Sequence, residues 1–265
     1  MAKDAIGGTW LVTPGKKISL TSIDPSGRPG APNDEVAMAT ATDELRDRLI
    51  RLQERMWAQN TQSLLLVLQA MDAGGKDGTI RKVFSGVNPQ SCVVHSFKEP
   101  STEELEHDFL WRIHARAPGH GELTIFNRSH YESVLVERVM KLVPKSVWKP
   151  RYPIIRDFER GLYAAGTRIV KVMLHISKDE QAKRFEARLT DPTKRWKYRE
   201  TDAKSRAKWD DFMDAYEDAV NETSIPEAPW YVVPADHKRY RDWAVMSILV
   251  ATLEDMNPQY PDAAT

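Results

Sequence analysis

From residue 63 onward, short aliphatic runs alternate with segments whose apolar positions recur at helical spacing. The runs predict strands over 63–69, 92–97, 122–127, 168–176 and 230–233. The amphipathic segments predict helices over 77–85, 102–115, 130–142, 153–165, 178–189, 203–220 and 237–254. Five strands separated by helices imply a five-stranded parallel sheet covered on both faces and joined by right-handed crossovers, an α/β fold in three layers, α/β/α. Ahead of it, Leu45, Leu49, Leu52 and Met56 follow Asp43 at helical spacing and predict an amphipathic helix packed on the core. Ser101 with Glu104, and Ser177 with Glu180, have the serine-to-glutamate spacing of a capping box. Residues 1–41 are instead punctuated by glycine and proline without sustained periodicity, and read as an extended arm.

The 265 residues suffice for one substantial core, and no internal repeat or second domain is apparent. Lys+Arg and Asp+Glu are both 38, so no global field would draw the chain to nucleic acid or to an anionic membrane. Any polyanion site must be local. The sole cysteine, Cys92, lies in an apolar run and reads as core filler, excluding an intrachain disulfide. No apolar run approaches the roughly 20 residues that span a bilayer, and no export signal is evident, so a soluble cytoplasmic protein is expected.

The first strand runs Leu64-Leu65-Leu66-Val67-Leu68-Gln69-Ala70 and opens into Met71-Asp72-Ala73-Gly74-Gly75-Lys76-Asp77-Gly78-Thr79. Successive glycines let backbone N–H groups converge on an anion, the following helix aims its positive end there, and Lys76 adds a point charge. Gly74, Gly75, Asp77, Gly78 and Thr79 are therefore candidate phosphate contacts. The usual G-x-x-x-x-G-K-[ST] loop, however, wants glycine at Ala70 and a magnesium-binding hydroxyl at Asp77. Asp72 is an added acid, able to hold a metal ion or to take a proton from an attacking phosphate.

A second landmark is Phe126-Asn127-Arg128-Ser129-His130-Tyr131-Glu132, where another strand ends in polar residues. Open α/β sheets bind ligands at such carboxyl ends. The neighbouring strand of a phosphate-loop fold normally supplies a magnesium-orienting acid, and here Asn127 takes that place. An amide oxygen can still coordinate, so Asp72 and Asn127 are the candidate metal ligands. Arg128 cannot lose its proton and suits a phosphate-facing role. Glu132 is a candidate for a ribose or base hydrogen bond or a second metal, against the alternative of a solvated first-turn glutamate.

The third landmark is local charge: between Lys178 and Lys208 eleven Lys/Arg face six acids in an otherwise neutral chain. In a phosphate-loop kinase such a stretch suits a lid that closes over the transferring group. Arg184 and Arg188 share a helix face, and Arg188 lies nearest the break before Pro192. Histidine offers no clear nucleophile-and-orienter arrangement and no metal-ligand cluster.

Together these pieces, with Phe97-Lys98-Glu99-Pro100-Ser101 and His107-Asp108-Phe109-Leu110-Trp111-Arg112, resemble the polyphosphate kinase 2 family over about residues 40–255. The resemblance implies a P-loop kinase-like fold at 42–257, with a helical lid at about 184–208, the arm at 1–41 before it and a tail at 258–265 after it. It implies transfer of the terminal phosphoryl of inorganic polyphosphate to nucleoside mono- or diphosphates, assisted by magnesium or manganese. Asp72 and Lys76 then belong to the Walker A site, Asn127 and Arg128 to the Walker B site, and Arg188 to the lid. Asn127 and Glu132 resemble the subgroup, class III, that accepts AMP as well as ADP, and the family implies dimers assembling into tetramers. Asp72, Lys76, Arg128 and Arg188 are the expected catalytic residues, with Arg184 as a further phosphate contact. The rival readings are an ATP-dependent nucleotide kinase and a non-catalytic polyphosphate-binding protein.

Overall fold

The computed structural model describes residues 8–197 and 200–262, the side chains of 197 and 200–203 excepted. Tyr198 and Arg199, within the expected lid, lie outside the described residues, as do residues 1–7 of the arm and 263–265 of the tail. The strands are β1 (Leu11–Val12), β2 (Ser63–Ala70), β3 (Cys92–Ser96), β4 (Leu123–Asn127), β5 (Thr167–His175) and β6 (Trp230–Pro234). The principal helices are α1 (Glu35–Gln59), α2 (Lys76–Val83), α3 (Arg151–Ala164), α4 (Lys178–Thr190), α5 (Trp209–Thr223) and α6 (Lys238–Met256).

The sheet has the order β1-β6-β5-β2-β4-β3, and β2 through β6 are parallel. β2 is central and every one of its eight residues is buried, which is why its sequence is a continuous aliphatic run and not an alternation. Burying each of Leu64, Leu65, Leu66 and Leu68 contributes about 1.5–3 kcal/mol. α6 packs on β5 and β6 together with α1 and α2, while α3 packs on β5 and against α5. The sheet is thus covered on both faces.

The sheet differs from the sequence expectation in one respect: it is mixed and has six strands. Leu11 and Val12 pair antiparallel with Tyr231 and Trp230 on the edge of β6. The arm is tied down further by Trp10, buried edge-on against Trp243 and donating its indole N–H to Tyr240, and by Leu20, whose N–H reaches Glu217. A strand of two residues is too short to show periodicity, and its partner lies more than 200 residues away in sequence. The arm is also not extended throughout. α1 begins at Glu35, where the Asp34 carboxylate accepts from the Ala37 N–H, and not near Asp43. The region expected as helix 102–115 is two short helices, Thr102–Glu106 and Trp111–His114, separated at His107-Asp108. The region expected as helix 130–142 is a 3₁₀ turn at His130–Ser133 followed by one helical turn at Val136–Val139. The expected helix 203–220 breaks at Lys208 into Glu200–Ala207 and α5. Ser101 and Glu104 form the full capping box, and Ser177 accepts from the Glu180 N–H. Among the described residues no helix is long and apolar enough to cross a membrane. Cys92 is half-buried at the start of β3, and burial pushes its thiol up to about 11, which suits an inert role.

After β2 the chain builds β3 and β4 on one side of it, then crosses to build β5 and β6 on the other. That reversal opens a crevice at the carboxyl end of β2, the position where open α/β sheets take ligands.

Candidate active site

Gly74-Gly75 turns the chain from β2 into α2. An added Cβ on Gly74 would lie 2.5 Å from the Ala70 Cβ and 2.7 Å from the Met71 carbonyl oxygen, so Ala70, standing where glycine is usual, fills the space beside the loop. Gly75 caps α2 with a φ of 108°, in the left-handed region that favours glycine. A Cβ there would meet the guanidinium of Arg241 at 2.1 Å. Lys76 is almost wholly buried, and its ammonium donates to the carbonyl oxygens of Ala70 at 2.7 Å and Met71 at 3.5 Å. Burial, and secondly Arg128, draws its pKa down to about 8, opposed by Asp72, Glu132 and Asp77.

β4 lies beside β2 with Asn127 in register with Leu68, which brings the second landmark to the same crevice. Arg128 occupies the left-handed region at φ 63°, uncommon for a residue with a side chain. Its guanidinium donates to Asp72 Oδ1 at 2.8 Å and lies 3.7 Å from Glu132 Oε2. Two residues 56 positions apart, each singled out from its own motif, are therefore joined across the crevice. Burial raises the Glu132 pKa, against Arg128 and Lys76, which favour its charged form. The two departures from the usual loop are also partners: Asn127 Nδ2 donates to Asp77 Oδ1 at 2.9 Å. An acid on the loop with an amide on the strand replaces a hydroxyl on the loop with an acid on the strand.

Arg184 has a different place from the phosphate contact expected of it. Its Nε donates to Glu180, its Nη1 to the carbonyl oxygens of Ala73 and Gly74, and its Nη2 to those of Ala235 and Asp236. It is a strut between the phosphate loop and the segment after β6, because a guanidinium offers donors in a planar fork that suits converging carbonyls. Arg188 lies one turn further along α4 with its guanidinium over the Phe185 ring. Thr79 is fully buried with Asp242 beside it, away from the loop's mouth. Gly78 accommodates the edge of Arg241.

Three supporting residues escaped sequence reading. Arg241 is buried behind the loop and held by Asp242; it sits in the charged first turns of α6, where sequence does not tell an inward arginine from its solvated neighbours. Gln181 is completely buried, donates to the Asp72 carbonyl oxygen at 2.9 Å and accepts from Arg206 at 3.2 Å. Gln69 donates to Ser129 at 3.1 Å and so joins the end of β2 to the turn after β4. Neither glutamine carries a distinguishing sequence pattern.

A strand, a glycine loop and a helix at the crevice of a mostly parallel sheet, with a buried lysine under the loop and an arginine of the neighbouring strand end paired to the loop's carboxylate, define a phosphate-handling α/β protein. The sequence matches the polyphosphate kinase 2 family over residues 33–261, and the chain belongs to that family. It is 51% identical over 256 residues to the AMP/ADP-polyphosphate phosphotransferase of Meiothermus ruber, covering 97% of this chain and 96% of that protein. It is 49% identical over 228 residues to the ADP-polyphosphate phosphotransferase of Rhodopseudomonas palustris, covering 82% and 79% respectively. The crystal structure of polyphosphate kinase 2 from Arthrobacter aurescens TC1 superimposes with a TM-score of 0.94 at 42% identity, over 98% of this chain and 93% of that one.

Proposed function

We propose that this protein transfers the terminal phosphoryl group of inorganic polyphosphate to a nucleoside mono- or diphosphate, converting AMP to ADP and ADP to ATP. The observation that carries the reading is the Arg128–Asp72 pair, which joins the ends of β2 and β4 over the buried Lys76. The acceptors in the relatives' names, AMP and ADP, support both conversions.

Transfer is direct and in line, and catalysis comes from positioning and from neutralising charge spread over the transferring oxygens. Lys76 and Arg128 supply that charge from fixed positions, and Arg188 supplies it from the basic segment acting as a lid. Asp72 orients the acceptor phosphate or takes its proton once a substrate phosphate replaces it as the partner of Arg128. Among the described residues no three Asp, Glu, His or Cys side chains cluster as a complete metal cage. Magnesium commonly binds through one or two carboxylates together with substrate phosphates and water. Asp72, with the Asn127 amide, would hold it, and bound there it would neutralise phosphoryl charge. The swap of acid and hydroxyl at Asp77 and Asn127 removes the arrangement by which an ordinary loop holds ATP and its metal, and favours a polyphosphate donor over ATP.

The test supplies AMP or ADP with magnesium and either polyphosphate or ATP, followed by product chromatography. ADP and ATP formed from polyphosphate are expected. ADP formed only when ATP is the donor would establish the ATP-dependent kinase instead.

A further inference from the structure

Beneath the turn that follows β4 lies a charged cluster that takes no part in the chemistry above. Lys171, in the middle of β5, and Glu159, on α3, are both completely buried, with Nζ and Oε2 2.6 Å apart. The three ammonium protons are all used: besides Glu159, Lys171 donates to the Tyr131 hydroxyl at 2.9 Å and to the Thr223 carbonyl oxygen at 2.7 Å. The Tyr131 hydroxyl lies 2.8 Å from both Glu159 Oε1 and Thr223 Oγ1. The His130 ring meets the same Glu159 oxygen at 3.2 Å. Trp230 closes the set, donating its indole N–H to Thr223 Oγ1 and lying edge-on to Tyr131.

Stability does not account for these charges. Taking an ion pair out of water costs several kcal/mol per ion, roughly, and apolar replacements of similar volume are often neutral or stabilising. The cluster does fix one thing. Tyr131 and His130 are buried in the His130–Ser133 turn, and Arg128, two residues before His130, and Glu132, directly after Tyr131, meet at the crevice. Arg128 sits in a backbone conformation that persists only where the surroundings enforce it. From the crevice side the turn is held by Ser129, bonded to Gln69 and to the Tyr131 N–H, by the Arg128 N–H on Leu68 and by the Arg128–Asp72 pair, and at its far end by Arg151 on the Ser133 carbonyl oxygen. From the core side it is held by the buried network alone, among the described residues.

We propose that Lys171, Glu159 and Tyr131 are positioning residues, a buried footing that holds the 128–132 turn so that Arg128 and Glu132 stand at the crevice for phosphoryl transfer. This rests on the reading of Arg128 as a catalytic group. A misplacement of an ångström at a reacting centre costs on the order of 100-fold in rate, so the footing acts on turnover more than on folding.

The decisive variant is Lys171→Met combined with Glu159→Leu, which removes both charges and fills the space. It is expected to melt at or above the parent temperature, while kcat with polyphosphate and AMP falls about 10- to 100-fold and KM for polyphosphate stays within about twofold. Tyr131→Phe, which removes one hydroxyl, should lower kcat in the same selective way by a smaller factor, and decides the matter if the double variant fails to fold. A folded double variant, or failing that Tyr131→Phe, with the parent kcat overturns the proposal. Arg128→Ala is assayed alongside. If it turns over at the parent rate, the reading of the site falls and the footing with it. If it is crippled while the folded double variant is not, the footing alone is wrong.

Discussion

The carboxyl ends of β2 and β4 lie side by side and face one crevice, yet they are held by opposite means. The loop after β2 is specified locally: Gly74 and Gly75 make its turn, and Ala70, Met71 and Lys76 fill its interior within seven residues. The turn after β4 is specified from a distance, by Glu159, Lys171 and Thr223, which come from α3, β5 and α5. A local device is built from the absence of side chains and tolerates no added carbon. A distant one is built from buried charge, and it leaves a charge unpaired when only one member of the ion pair is lost. A phosphate loop thus carries its support within its own motif, whereas the support of the arginine turn opposite lies elsewhere in the chain.

The two ends can be broken separately. Lys76→Ala removes the fixed charge of the first and should lower kcat about 10²- to 10³-fold with little change in melting temperature, the loss typical of one preorganised electrostatic donor. Next in size is Gly75→Ala. The left-handed backbone and the Arg241 guanidinium both oppose a Cβ there, so a loss of about 1–3 kcal/mol is expected by denaturant unfolding. Measured in an Arg241→Ala background, Gly75→Ala should cost only the part due to the backbone, and no cost there would show that the conformation is unstrained.

The pH dependence separates the ends more finely. The Lys76 ammonium is disfavoured by burial, so its proton leaves near pH 8 in the ligand-free protein. As pH rises through that value, kcat/KM should fall, approaching about tenfold per unit, because the neutral amine no longer offsets phosphate charge. Stability takes the opposite sign. Between about 8 and the ordinary 10.5 the unfolded chain binds the extra proton, so the contribution of Lys76 to stability rises with pH. Lys76→Arg should abolish the fall in kcat/KM, and a fall that persists would place the titrating group elsewhere. The smallest effect is expected at Asn127. Asn127→Asp exchanges a donor to Asp77 for a second carboxylate at hydrogen-bond distance, and should change the ratio of AMP to ADP specificity constants severalfold. Equal change in both constants would deny Asn127 a role in acceptor choice.

Much of the fold was legible because buried parallel strands and amphipathic helices carry strong periodic signals. β2 is a nearly continuous apolar run, β5 is one interrupted by Lys171, and α4 follows its serine cap. β1 was not legible, since two residues pairing with an edge strand leave no pattern. Nor was the start of α1, where Ala37, Ala39 and Ala41 favour helix without marking a face. At the site, Asp72, Lys76, Asn127 and Arg128 were legible as types placed at strand ends, and they do meet. The strut formed by Arg184 was not legible, because a charge run and a carbonyl-binding fork look alike in sequence; only the fold reveals that backbone carbonyls converge on it. Lys171 was invisible for the converse reason, a cation inside a strand whose partners depend on how three elements pack.

The Gln181 bridge has a mechanical consequence. Gln181 and Arg184 fasten the base of α4 to Asp72, Ala73 and Gly74, and Arg206, arriving from the far end of the basic segment, fastens to Gln181 and to the Lys178 carbonyl oxygen. The outgoing and returning stems are thus bolted to one plate, and that plate is the phosphate loop. A lid of the kind proposed would pivot beyond these bolts, like a visor on a fixed brow, and would meet a polyanion without dragging Asp72 off station. An opening that did shift Asp72 would first have to shear the Gln181 amide.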